Sequence, residues 1–358
     1  LINENVLNED GTLNEANVSS FVQWEPIGEA THMLDPDDST KLIAVENVRA
    51  FKGIFNGKDY YILGVYINKG LEWNQALFAT SFGTIKNINV IDSYIQAEGQ
   101  HIAGIVGSVR TGNIKNCTNE ATIKSGDNYA HCGGVVGIAN SVRIENCINK
   151  GLIYGRTASG IVGSTYGTLV INCFNEGSIT GLYPSGLSYG GGTGTFINCY
   201  NVGQVYGTAN ISSGGIGQPY EGVTTIKNCF NKGDISGGYF SGGLLSCISE
   251  NVECIIEHCY NLGTVEEGQY KGGIIGHSNS NDIIVNNVYN VNSVFTGQGI
   301  TTTVTNTGLI NADGTFPNST PYADLLTALN AWVDANKSTY PELKNWVMGS
   351  NGYPTLDI

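Results

Sequence analysis

The chain is short of charge. Only 13% of its 358 residues are Asp, Glu, Lys or Arg, about half the usual share. Basic residues are scarcest: 17 Lys and Arg face 31 Asp and Glu, for a net charge of −14. That balance argues against nucleic acid and against anionic membrane surfaces, because both require basic patches. No apolar run approaches the ~18 residues of a membrane-spanning helix. The opening LINENVLNED has neither the basic nor the apolar region of a secretory leader. The chain does not begin with Met, so this says nothing about secretion. The signatures G-x-S-x-G, H-E-x-x-H and the phosphate-binding loop are absent. Nine cysteines is an odd number, which fits poorly with a disulfide framework.

What is present argues for a folded chain. Hydrophobic residues make up 41%, too many for disorder, and polarity comes from Gly, Asn, Ser and Thr. The dominant feature is a repeat. NCFNEGSITG at 172–181 is rewritten as NCYNVGQVYG from 198 and NCFNKGDISG from 228. The cysteine recurs at Cys117, Cys147, Cys173, Cys199, Cys229 and Cys259, and Ile88 and Val288 extend the frame outward. Three residues earlier stand Ile85, Ile114, Ile144, Val170, Phe196, Ile226, Ile256 and Val285. Just before the cysteine comes Asn, replaced once by His258, and two after it Asn119 through Asn290. Each period also holds a glycine-rich strand, such as AGIVG at 103–107 and KGGIIG at 271–276, with degenerate versions at 185–190 and 213–217.

These segments are about five residues long, β-branched, and punctuated by Gly and Asn. A helical repeat would need about ten or more residues at a 3.6 period, and the repeats have none. One such coil cannot bury its apolar face alone, but stacked coils can. The pattern therefore predicts an all-β chain, a right-handed parallel β-helix of about eight or nine coils stacked at about 4.8 Å. Asn suits its corners because it tolerates left-handed backbone, and Gly would permit positive φ at the next corner. Stacked charges should alternate in sign. Lys115 before Glu145, and Lys227 before Glu257, obey this, whereas Lys86 and Lys115 do not.

The G-G-I-x-G strands and N-C-x-N-x-G corners resemble those of the GLUG-motif proteins. The lead-in AFKGIFNGKDYYILGVYIN at 50–68 and LFATSFGTIKNINV at 77–90 is similar to theirs, and so is the closing NWVMGSNGYPTL. The resemblance implies a bacterial secreted or wall-attached, adhesin-like protein. It would be extracellular and a monomer, with a polysaccharide, glycan or host surface protein as partner, and without cofactor or metal.

Three regions are expected: an N-terminal arm and cap over 1–44, the β-helix over 45–309, and a C-terminal helical cap over 310–358. In the last, Leu325, Leu329, Trp332 and Val333 share a helical face, with Thr320 as N-cap and Pro321 in the first turn.

Chemistry has few footholds. The cysteine column reads as buried small hydrophobes. Cys247 and Cys254 bracket a loop and could form a disulfide. His131-Cys132 and His258-Cys259 match no zinc spacing. DPDD at 35–38 reads as an acidic turn without the Gly and distal Glu of a calcium loop. Glu253, Glu257, Glu266 and Glu267 show no partner base. The aromatic column Phe174, Tyr200, Phe230, Tyr260 and Tyr289 reads as packing. Tyr129, Tyr183, Tyr239, Phe240 and Tyr270, in the variable turns, are the candidate ligand-binding residues. A flat apolar face with a hydroxyl suits sugar or protein contacts. The alternative function, a carbohydrate-active β-helix enzyme, would need several carboxylates converging on one face.

Overall fold

The computed structural model describes residues 2–35, 37–126, 130–209, 211–291, 296–298, 303–305, 308–311, 315–316 and 322–358. One coil shows how the sequence becomes the solenoid. Asn113–Asn119 forms a first face, Thr122–Ser125 a second, His131–Gly133 a short connecting strand, and Val136–Asn140 a third face. Each face pairs in parallel with its counterparts in the coils before and after, giving a β-solenoid of about eight turns. The register is the sequence register. Ile85, Ile114, Ile144, Val170, Phe196, Ile226, Ile256 and Val285 lie directly above one another. So do Ile67, Ile95, Ile123, Ile153, Ile179, Val205 and Ile235 on the second face. Their inward side chains are buried, and all but Val205 and Ile235 belong to one continuous core.

Two asparagine ladders make the corners, and they differ in kind. The outer one, Asn87, Asn116, Asn146, Asn172, Asn198 and Asn228, has left-handed backbone at every position, with φ between 51° and 57°. Each Nδ2 donates to the Oδ1 of the coil before, as in Asn146 to Asn116 at 3.0 Å and Asn228 to Asn198 at 2.8 Å. The inner ladder is fully buried and runs the other way. Asn149 Nδ2 donates to Asn175 Oδ1 at 2.7 Å, Asn175 to Asn201 at 2.7 Å, and Asn201 to Asn231 at 2.8 Å. The same Nδ2 also donates to the carbonyl two residues on, as in Asn175 to Gly177 at 2.7 Å.

The glycine of N-x-G is not there for positive φ: the column Gly151, Gly177, Gly203, Gly233 and Gly263 has none. It is there for close approach. A Cβ on Gly203 would meet the Gly177 carbonyl at 2.0 Å and the Asn175 amide at 2.7 Å. Gly186 of the degenerate strand is held by the same ladder, since its Cβ would strike Asn201 Cγ at 2.6 Å. Leu187 and Ile216 keep the inward place of Ile161, Ser188 and Gly217 stand where Val162 would recur, and the register is irregular between Val162 and Ser164.

Charged columns behave as stacking demands. Lys115 and Glu145 pair at 3.0 Å, Lys227 and Glu257 at 2.8 Å, and Lys150 and Glu120 at 3.5 Å. The like-charged Lys86 and Lys115 are direct neighbours as well. The six column cysteines are buried free thiols. Each Sγ lies near the carbonyl two residues back, as in Cys199 to Ile197 at 3.2 Å. Burial pushes the thiols of Cys147, Cys199 and Cys229 up, and that of Cys132 up to about 12. A thiol reagent at neutral pH is therefore expected to leave the column untouched in the native protein and to label it fully after denaturation. A disulfide within the column on a mass map would contradict this. Cys247 and Cys254 are also free: Cys254 points into the core between Thr224 and Ile283, whereas Cys247 is half-buried opposite His277.

Both ends run along the flank. Residues 2–20, expected as part of an N-terminal arm and cap, lie against the second face. Val6 is fully buried with Tyr66 and Tyr94, backed by Leu7, Leu13, Val18 and Phe21. Thr122 Oγ1 donates to the Gly11 carbonyl at 2.5 Å, and Asp92 Oδ1 accepts from Leu7 N at 2.8 Å. The solenoid also begins before residue 45, because Ile27 pairs with Phe78. The hairpin of His32–Asp35 and Asp38–Ala44 is an insertion in that first coil, with Asp37 in its turn.

The C-terminal helix α1, Leu325–Asn336, is capped by Asp324, which accepts from Thr327 N at 2.8 Å. Thr320 and Pro321, the expected cap, lie outside the described residues. Leu325, Leu329 and Val333 are buried as expected, with Ala328. The segment from α1 to Leu356 lies against the side of successive coils. It covers the aromatic column, in which Phe174, Tyr200, Phe230 and Tyr260 stack with centroids 4.5, 4.6 and 5.1 Å apart. The lone His258 in the outer ladder explains where it docks. Without an amide at 258, Asn228 Oδ1 would lack its donor from the next coil. Trp346 Nε1 supplies it at 2.6 Å, and the His258 ring stacks on Trp332 at 4.5 Å.

Candidate aromatic groove

The short connecting strands and the third face meet at the G-G bend, and their outer sides form two walls. On the first wall one outward column runs in register: His131, Thr157, Tyr183, Ser212, Phe240 and Tyr270. Three of the sequence candidates, Tyr183, Phe240 and Tyr270, thus share a column. Tyr239 leans on Phe240 and Tyr270 at 4.8 and 5.1 Å. Tyr129 lies outside the described residues. The other wall carries Tyr166, Tyr189, Tyr220 and His277, none of which the repeat marked.

Between the walls lies a cleft of about 540 Å³. It is lined by His131, Arg156, Tyr183, Tyr189, Tyr220 and Glu221, with Gln100, Thr157 and Tyr166. Its rings are in contact: Tyr189 stands 6.0 Å from His131, 5.7 Å from Tyr183 and 6.3 Å from Tyr220. Arg156 lies 5.5 Å over Tyr183. The file continues beyond the cleft through His101, 5.9 Å from His131, to Trp73 and His32. A second cluster lies further along, where Phe240 and Tyr270 stack at 5.5 Å and His277 faces Phe240 at 4.6 Å.

Thr157 fixes the state of His131. The threonine hydroxyl donates to the Ala130 carbonyl at 2.6 Å, so its oxygen is left to accept from His131 Nδ1 at 3.1 Å. The Nε2 lone pair is then an acceptor on the cleft side. Desolvation lowers the His131 pKa to about 4. Desolvation first, then the neighbouring His131, lowers that of His101 to about 3. Both are neutral at pH 7, as is His258, lowered to about 3 by burial. Their folded pKa values lie below the ordinary 6.5, so the unfolded chain binds more protons between those limits. Thermal stability is expected to hold above pH 6.5 and to fall as pH drops toward 4. A melting temperature unchanged over that window would contradict the burial of these rings.

The remaining candidates are dispersed. His131 faces the cleft while Cys132 points inward, so the pair cannot share a metal. Among the described residues no group of three His, Cys, Asp or Glu comes together. Glu257 is engaged by Lys227. A cleft of about 670 Å³ separates residues 8–16 from Tyr94, Thr122, Lys124 and Tyr154 on the second face. Tyr154 and Tyr206 are exposed there, away from the groove.

No family model matches the chain, and no curated protein does. Among solved structures, the chain is similar to a protein from Bacteroides ovatus described as a candidate immunoglobulin A1 protease, at 16% identity and a TM-score of 0.36, over 85% of this chain and 76% of that one.

Proposed function

We propose that this chain is a non-catalytic, extracellular bacterial surface module of the GLUG type that binds a polymeric glycan along the aromatic groove. The observation that carries the reading is the in-register column His131, Thr157, Tyr183, Ser212, Phe240 and Tyr270, facing Tyr189 and Tyr220 across an open cleft. Aromatic faces stack on the apolar faces of sugar rings, while the hydroxyls, Gln100, Glu221 and His131 Nε2 offer polar contacts. Aromatic members recur along the column, so a ligand that itself repeats can touch more than one of them. Paired-carboxylate hydrolysis needs two acids across the bond. Among the described residues Glu221 is the single carboxylate lining the cleft, which supports a binding role over a cleaving one.

The test is retention on a glycan array and on immobilised cell-wall and mucin polysaccharides. The wild-type chain is expected to be held by at least one polymer and only feebly by its monosaccharide. Replacing Tyr183, Tyr239 and Tyr270 by Ser should abolish retention and leave the melting temperature nearly unchanged, because all three are only half-buried. Undiminished retention in that variant would overturn the site, and release of sugar from the polymer would favour the enzyme reading.

A further inference from the structure

The groove is not uniformly aromatic. Tyr183 ends one cluster and Phe240 begins the other, and the column residue between them is Ser212. Opposite Ser212 on the other wall sits Gln218, next to Tyr189 in register. Its Oε1 accepts from Ser212 Oγ and, at 3.4 Å, from Ser246 Oγ. Its Nε2, the donor end of the amide, has no hydrogen-bond partner among the described residues. The sequence of surfaces along the rod is therefore aromatic, polar, aromatic.

Coil spacing sets the scale. From Tyr183 to Tyr270 is three steps, about 14 Å at about 4.8 Å per step. A monosaccharide can lie on one cluster but cannot touch both, because their nearest members, Tyr183 and Phe240, are two steps or about 10 Å apart. The two clusters share the continuous nine-stranded sheet of the third face, and single bridges at Ser185 join the connecting strands, so no flexible linker separates them and no linker entropy is lost when both are filled.

We infer that the groove is a two-platform site whose ligand is a glycan chain long enough to lie on Tyr183 and Tyr189 at one end and on Phe240 and Tyr270 at the other, with the Gln218 amide donating to a sugar oxygen between them. This rests on the glycan-binding reading above. Affinity is then a step in ligand length. Each platform alone is weak, and a chain that engages both converts the second contact into an intramolecular one, a gain of about a hundredfold.

The experiment titrates the intact chain with size-graded fragments of whichever polymer the array retains, from the disaccharide to the octasaccharide, by calorimetry. The expected result is a step of about a hundredfold in affinity once the fragment spans the two platforms. Tyr183→Ala and Phe240→Ala should each remove the step and leave the affinity of short fragments for the remaining platform unchanged. Their effects should be strongly non-additive with long fragments and additive with short ones. If Phe240→Ala fails to fold, Tyr270→Ala takes its place on the same platform. A smooth rise in affinity with length, or a step that survives both substitutions, would overturn the two-platform site while leaving glycan binding intact. Retention of no polymer, with capture by a host surface protein instead, would overturn the underlying reading and this inference with it.

Discussion

Trp346→Ala is expected to lower stability by about 3–5 kcal/mol, the usual cost of emptying a buried aromatic site. The indole is only 2% exposed. Its ring lies 5.7 Å from Phe230 and 5.4 Å from Tyr260, and its N–H completes the outer asparagine ladder at Asn228. Trp346→Phe keeps most of the packing and loses the donor, so it should cost about 1–3 kcal/mol, the penalty for one orphaned buried acceptor. His258→Asn separates the two roles of the site. It supplies the missing amide from the solenoid itself, while removing the ring that stacks on Trp332. In that background Trp346→Phe should become nearly neutral. Denaturant melts of the four proteins decide the matter. Equal costs for Trp346→Phe in both backgrounds would show that the indole donor does not stand in for the ladder.

Asn201→Asp is expected to be more damaging still at neutral pH. Asn201 is completely buried, accepts from Asn175 and donates to both Asn231 Oδ1 and the Gly203 carbonyl. A carboxylate can keep the first contact only. Its second oxygen would face two acceptors with no proton between them, in a site without water to solvate the charge. The carboxyl pKa should rise, and the loss should ease as pH falls and the acid protonates. Asn201→Ala removes the charge but orphans the same acceptors, at about 1–3 kcal/mol for each. It should therefore be destabilising without the pH dependence. Because repeat proteins unfold in units, hydrogen exchange in coils 175–231 is the sensitive readout. Protection there that matches the wild type would contradict the ladder as a structural element.

The solenoid was legible because its constraint is local and repeated. Ile114, Cys117 and Asn119 have the same neighbours in every coil, so the same residue types recur at each step. Even the mechanism of the asparagine corners could be read, since few other residues accept left-handed backbone. The role of the N-x-G glycine could not. A residue that yields to the carbonyl above and one that adopts positive φ leave the same letter in the sequence. The flanking segments were illegible for a related reason. Val6 and Trp346 bury themselves against coils far away in sequence, and no periodicity announces such a contact. His258 was the one visible trace, an irregularity in the outer ladder at the place where the C-terminal segment docks. Of the groove, Tyr183, Phe240 and Tyr270 were readable as recurring turn aromatics. Tyr189, Tyr220 and His131 were not. Tyr189 stands where neighbouring coils carry Ser164 and Gln218, and His131 where the next carries Thr157, and only the fold brings them opposite one another.

The central claim, that the aromatic groove is the binding face, is tested most directly by nitrating the surface tyrosines with and without the retained polymer. Peptide mapping then reports each one. Tyr154 and Tyr206, exposed on the second face, serve as internal controls. The account predicts that the polymer protects Tyr183, Tyr189, Tyr220, Tyr239 and Tyr270 and leaves Tyr154 and Tyr206 fully reactive. Protection of Tyr154 and Tyr206 with the groove tyrosines unprotected would contradict it.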